Sequence, residues 1–461
     1  MKIRKILIRI GIGFLAFVAA VLAVRAVLNF TEGRALARTL AELKSRGIPL
    51  TGKDLAPPCA DEDNGARLWK AYENMSVIPG RHIFKPGGPA HKDREMDVRG
   101  LISRSWRDHT NGQPITPSDR AALKEVILKN EKAFALLADI GGKPCFLYRD
   151  PSDPVFLSLM PDAIQAIGTE RLLFFSILFS AEEGDWKGAI DRLGVGLRLA
   201  PVMSLEGTQM AFLISLACAN LLTQPLADIC RGREIAAEDL TRLMAVLEPG
   251  PRRDRLALAW RGERIAFVEV GAYLLEGDLG DLGSVWEGRH WWHKIAIWLA
   301  RPLVKRDLRR SLPSYEFLEA QAKLPYYQCR DALRARDEEL QSKPWYAIAS
   351  KMMIGSAEAA FMKTAKTEAI TLASRTGLAC RLYKSRTGHY PQTLDELVPG
   401  LLSEVPIDPF TGKPLVYRRE GEGFIVYSLG SNEKDDGGRS TYNITQMVMP
   451  KDDDWCWRED R

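Results

Sequence analysis

PDAIQAIGTERLLFFSILFSAEEGDWKGAIDRLGVGLRLAP, residues 161–201, decides the architecture of this chain. Its first half, through about residue 183, is apolar over most of a helical circumference, as in LLFFSILFSA. Gly184-Asp185 then breaks the period, and WKGAIDRLGVGLRLAP opens a second helix that Pro201 ends. Two helices joined by so short a turn must lie side by side and antiparallel. Both are apolar enough to resemble membrane spans. Glu170, Arg171, Glu182 and, further on, Glu206 interrupt the apolar runs, and no uncharged run reaches the ~18 residues a span needs. The pattern predicts buried helices of a bundle.

Working outward, Pro117-Ser118-Asp119 opens a helix toward Leu137, and further helices are expected at about 207–230, 237–247 and 252–276. The stretch EGDLGDLGS (276–284) separates these from an aromatic helix at 285–300, which leads into the basic run RPLVKRDLRR (301–310). Residues 76–115, rich in Gly, Pro, His and Lys, read as a long irregular excursion. Within AEEGDWKGAIDRLGVGLRLAP, residues Gly184, Trp186, Ala189, Leu197 and Pro201 resemble the second half of a tetratricopeptide-type repeat, with no second copy at that period. The resemblance implies antiparallel helical hairpins.

At 461 residues the chain exceeds one ordinary core, and two to four units are expected. Hydrophobic residues at 46% and charged residues at 27% are the balance of a folded protein. The net charge of +5 is small, and Lys2, Arg4, Lys5 and Arg9 supply much of it. Without a basic face beyond residues 301–310, nucleic acid is not an expected partner. The 7 cysteines show no CxxC pair, so zinc-ribbon spacing is absent. Their spacing demands no disulfide, and buried unpaired thiols such as Cys218 are the expectation.

Residues 10–24, IGIGFLAFVAAVLAV, carry no charge. Counting from Ile6 to Leu28, with Arg25 snorkelling, the stretch matches the ~20 residues of a bilayer crossing. Small residues in an A-x-A arrangement are lacking, so residues 1–30 read as an uncleaved signal anchor rather than a cleaved signal peptide. The lipid bilayer is thus the partner of residues 6–28. The basic cluster before the segment places the N-terminus inside, although Arg25, Arg34, Arg38, Lys44 and Arg46 nearly balance it. The expected location is the cytoplasmic (inner) membrane, single-pass, with the bulk of the chain outside the cytoplasm. Residues 31–48 continue as a polar helix stopped by Gly47 and Pro49. They begin a 31–117 segment of helix and irregular linker, before a helical bundle over 118–350.

Few residues carry recognisable chemistry. Glu287-x-x-His290-x-x-His293 is the one cluster of metal-ligand types, and on a helix its side chains share a face. It lacks the HExxH spacing of a zinc peptidase. The neighbouring Trp286, Trp291, Trp292 and Trp298 suit packing or a membrane surface better. There is no GxSxG elbow and no phosphate-binding glycine loop. A non-enzyme is favoured over an extracytoplasmic, possibly metal-dependent enzyme.

The last hundred residues are more specific. A helix over about 356–386 leads into Gly388-x-Tyr390-Pro391, Leu394 and Leu397, then Pro406-x-Asp408-Pro409-Phe410 with Gly412. Leu415-Val416-Tyr417 and Phe424-Ile425-Val426-Tyr427 read as an antiparallel hairpin, followed by Ser428-x-Gly430, Gly437-Gly438 and Asp454-Trp455. This ordered set resembles the C-terminal domain of the major pseudopilin of type II secretion systems. The resemblance implies a small α+β unit over 356–461 and a calcium ion in its closing loop. By position Asn432, Asp435, Asp436 and Asp453 or Asp454 would ligate it, and oxygen-rich loops suit calcium on general grounds. The chain departs from that family at its start: Gly13-Phe14 is followed by Val18 where the family has Glu. A helical domain also separates the anchor from the pilin-like unit. The arrangement is similar to large bacterial membrane-anchored proteins that carry this unit as a terminal module. It implies an interaction or scaffold protein binding a protein partner, a secretion-system component being the alternative.

Overall fold

The stretch that decides the architecture folds as a helical hairpin. Helix α6 (Ala163–Glu182) turns through Gly184, at φ +81°, into α7 (Trp186–Met203). Only a residue without Cβ adopts that φ at no steric cost, and Asp185 caps α7 by accepting from the Gly188 N–H at 2.9 Å. The computed structural model describes residues 2–55, 59–78, 97–150, 153–157, 163–248, 250, 252–276, 291–344, 347–355, 357–439 and 454–459.

The chain is mainly helical, with an apolar N-terminal helix and one small sheet. Helix α1 (Lys2–Ser45) is followed by a short α2 (Gly52–Leu55), α3 (Gly65–Met75), α4 (Val98–Thr110) and α5 (Pro117–Gly141). After the α6–α7 hairpin come α8 (Gln209–Thr223), α9 (Leu226–Cys230), α10 (Ala237–Val246), α11 (Arg252–Glu276), α12 (Trp291–Gln321), α13 (Tyr326–Ser342), α14 (Ile348–Ile354) and α15 (Ala357–Thr387). Strands β1 (Val416–Glu420), β2 (Gly423–Ser428) and β3 (Trp455–Glu459) form an antiparallel sheet in that order.

Three elements differ from the sequence pattern. Residues 76–115 are not wholly irregular, because α4 lies within them. Its Leu101, Ile102, Ser105 and Trp106 make one buried face, and Asp97 caps it through the Gly100 N–H at 2.9 Å. Arg99, Arg104 and Arg107 mask that face in composition. Helix α12 does not end before the basic run but continues through Pro302 and Pro313. Strand β3 pairs with β2, Val426 opposite Trp457, and a five-residue strand with no turn signal beside it is hard to read from sequence.

An apolar cluster runs from Trp69 and Leu123 through Phe174, Phe175 and Leu222 to Leu378, Phe424 and Trp457. The bundle and the C-terminal unit are therefore joined by shared core, not only by chain. The Trp457 ring sits against Gly377 of α15 where any Cβ would collide with it. Glu170 is also in this core. Its carboxylate has no partner, and burial pushes its pKa up to about 8. It is thus neutral at pH 7 and leaves α6 effectively uncharged along its buried face. A second cluster gathers Leu36 and Leu43 of α1 with Trp260, Phe267, Leu312, Tyr315 and Phe361.

Candidate functional sites at the two ends of the chain

Helix α1 has two environments. From Ile10 to Phe30 its large apolar side chains face outward, Ile10 63%, Phe17 66% and Phe30 62% exposed. From Glu32 onward it packs into the second core cluster through Leu36 and Leu43. The change coincides with the arrival of α12, which runs parallel to it: Arg25 meets Trp298, Asn29 meets Lys305, Glu32 meets Arg306 and Arg309, and Arg46 meets Glu316.

The first of these contacts follows from covalent structure. Pro302 has no N–H, so the carbonyl of Trp298, four residues earlier, loses its helical donor. Arg25 replaces it, donating Nη2 and Nε to Trp298 O at 2.7 and 3.1 Å, while its guanidinium stacks 3.3 Å from the centroid of the Trp298 ring. Lower down, Gly33 admits Lys305, whose Nζ would lie 3.2 Å from a Cβ placed there, and which donates to Asn29 Oδ1 at 2.9 Å. Glu32, 8% exposed, accepts from Arg306 Nε at 2.7 Å and Arg309 Nη2 at 3.1 Å. Burial alone would raise its pKa, but the two guanidiniums outweigh that and hold it below the usual carboxylate value. The junction between apolar and packed α1 is thus clamped by three cations of α12.

The candidate metal-ligand types Glu287, His290 and His293, for which packing or a membrane surface is the favoured role, straddle the start of this helix. Glu287 and His290 lie outside the described residues, and His293 falls in the first turn of α12, whose side chain there is not described.

At the other end, the loop after β2 is organised by Asp408. This buried carboxylate accepts from Ser428 Oγ at 2.8 Å and from the Leu429 and Phe410 N–H groups at 2.9 Å each. It ties the Pro406-x-Asp408-Pro409 turn to the strand end. Asp435 accepts from Tyr427 Oη at 2.7 Å and from the Gly437 N–H at 2.9 Å, and these bonds lower its pKa. Asn432 Nδ2 donates to Asp436 Oδ2 at 2.7 Å. Asp454, at the start of β3, is 0% exposed and accepts the Gly438 N–H through Oδ2 at 2.8 Å. Its Oδ1 has no donor. Burial, then the charges of Asp436 and Asp435, push the Asp454 carboxyl up to about 6.

The structure therefore brings together Asn432, Asp435, Asp436 and Asp454, while Asp453 lies outside the described residues. Among the described residues no set of three His, Cys, Asp or Glu side chains is already closed around a metal position.

One feature is not readable from the sequence. Cys59 and Cys145 form a disulfide, Cα atoms 6.4 Å apart and 86 residues apart in the chain. The signal for it existed only in space, where Asn64 bridges the same two segments by donating to Leu147 O at 3.0 Å. The expected free thiols are found at Cys218, Cys230, Cys329 and Cys380, all buried. Comparison with known family models, with curated proteins and with solved structures finds no match.

Proposed function

We propose that this chain is a single-pass membrane protein of the cytoplasmic membrane whose bulk lies outside the cytoplasm and acts as a scaffold for a protein partner. The observation that carries this reading is the division of α1 at Glu32. Above it, from Ile10 to Val24, the helix exposes an uninterrupted run of uncharged, mostly apolar side chains; below it the same helix is built into the core through Leu36 and Leu43. A rigid continuation of this kind holds the bundle at a fixed height on a bilayer. The Cys59–Cys145 disulfide supports the extracytoplasmic side, because such bonds persist in oxidising compartments. Cys456 gives the test, being the one exposed free thiol among the described residues. A membrane-impermeant maleimide added to intact spheroplasts is expected to label it; labelling only after permeabilisation would overturn the orientation.

A second reading concerns calcium. Asp454 Oδ1 is buried without a donor beside Asp435 and Asp436, and a hard cation ligated by carboxylate, carbonyl and water oxygens would supply the missing partner. This matches what the pseudopilin resemblance implies for the same loop. With a carboxyl raised to about 6, stability is full below the unfolded value near 3.8 and is lost as pH rises through 6. Calcium should therefore stabilise most above pH 6. We expect the melting temperature to rise on adding calcium at pH 7.5 and the rise to vanish in the Asp435→Ala/Asp436→Ala variant. An unchanged melting temperature at millimolar calcium would sink this reading.

A further inference from the structure

The N-terminal turn of α11 meets α15 and the 402–407 segment of the C-terminal unit around a cleft with two chambers. The outer one, about 470 Å³, is walled by Arg253, Glu368, Arg375, Thr376, Leu402 and Glu404. The inner one, about 80 Å³, reaches into the bundle between Ser204, Ser215, Thr223, Arg255 and Thr371. Gly250 and Arg252 line both, so Arg252 stands at the throat.

The charges here are unevenly matched. Arg253 is held by Glu368 through two hydrogen bonds of 3.2 Å, and Arg375 has Glu248 at 3.7 Å. Among the described residues Arg252 and Arg255 have no ion pair, and only the more distant charges of Glu368 and Asp254 reach them. Arg252 spends Nη2 on the Thr371 hydroxyl at 3.1 Å, and its Nη1 is buried without an acceptor. Arg255 Nε is likewise buried and unmet. Asp254 and Glu404 are exposed to solvent, at the surface side of the cleft. A guanidinium does not shed its charge at accessible pH, and an unmet buried N–H on it costs more than a neutral one. The throat thus holds two guanidinium N–H groups without an acceptor, although Glu248 also lines the inner chamber, and the hydroxyls of Ser204, Ser215, Thr223 and Thr371 already donate to helical carbonyls.

We propose that this cleft is a binding site for a small oxyanion, a phosphate or carboxylate group, seated between Arg252 and Arg255 and entering through the outer chamber. Guanidinium forks match both groups in geometry. The apolar Leu372, Leu402 and Ile407 then suit the remainder of a larger ligand carrying that group. Because its walls come from α11, α15 and the 402–407 segment, occupancy would brace the C-terminal unit against the bundle.

The test uses the full chain in detergent micelles, with sodium phosphate, sodium acetate and sodium chloride compared at equal ionic strength. At about 10 mM, phosphate or acetate is expected to raise the melting temperature by about 2 °C over chloride. The larger of the two shifts identifies the head group. Arg252→Gln and Arg255→Gln should each abolish the difference, while Arg104→Gln, at a surface ion pair, should keep it. Should the cleft variants fail to fold, ³¹P and ¹³C-acetate line broadening on the wild-type chain decides. Absence of broadening and of any shift over chloride, or a full shift retained in both cleft variants, would overturn the proposal.

Discussion

Among the described residues two helical segments, α1 and the α8–α9 stretch, are long and apolar enough to cross a bilayer, and they have opposite fates. In the apolar window of α1 no residue is buried, whereas 67% of the corresponding window spanning α8 and α9 is covered by protein. Composition separates them in degree, α1 being the more apolar, though both have the length and apolarity of a span. What separates them in kind is their neighbours: α8 is packed by α6, α7, α11 and α15, while α1 above Glu32 meets only the first turns of α12. The same side-chain chemistry is covered by protein in one case and left exposed in the other, as suits a membrane anchor.

The sharpest way to break this contrast is to place one charge in each helix. Leu222→Lys in α8 buries an unpaired ammonium in the main core and should cost more than about 4 kcal/mol. Chemical denaturation of the purified chain should find it largely unfolded. Phe17→Lys should leave the folded bundle's denaturation midpoint unchanged. It should instead weaken membrane retention by about 3 kcal/mol of insertion free energy, seen as a soluble fraction on flotation. Equal destabilisation of the fold by both changes would erase the distinction.

A smaller effect tests the part of the chain next to the anchor. Replacing Cys59 and Cys145 by Ser removes a long closed loop and should cost about 3 kcal/mol. Reductant should reproduce the loss in the wild type and do nothing further to the double variant.

The effect that is smallest per step, a slope with pH, tests how α6 stays apolar. Glu170, raised to about 8 by burial, keeps its proton when folded and loses it near 4.5 when unfolded. Stability from this group is complete below 4.5 and declines as pH rises through 8, by at most about 1.4 kcal/mol per unit. Glu170→Gln should flatten the profile between pH 5 and 8, measured by denaturation midpoints; an unaltered slope would show that another group sets it.

Much of the helical frame was legible because its signals are local. Gly184 and Asp185 end one helix and cap the next, Thr116 caps α5 by accepting the Asp119 N–H at 3.1 Å, and the 416–428 hairpin turns at Gly421, φ +58°. Helix α4 was hidden because arginines surround its buried face. Helix α12 was cut short because Pro302 reads as a stop, although Arg25 from a distant helix satisfies the carbonyl it frees. The candidate sites divide in the same way. The residues of the acidic loop could be named in advance from their order along the chain. That Asp454 has an orphaned oxygen, and that Arg252 and Arg255 each keep an unmet N–H among the described residues, depends on groups distant in the chain or on what fails to arrive.

The sequence by itself determined where the well-capped helices such as α5 and α7 begin and end, which stretch is apolar enough for a membrane, and which oxygen-bearing residues lie close along the chain near the C-terminus. These follow from backbone dihedral preferences, capping and periodicity over a few residues. Only the tertiary structure decided which neighbours cover α8, that Cys59 finds Cys145, and that the C-terminal unit shares its core with the bundle. Those outcomes depend on burial and on partners brought together from distant segments, and a carboxylate or guanidinium in isolation carries no record of either.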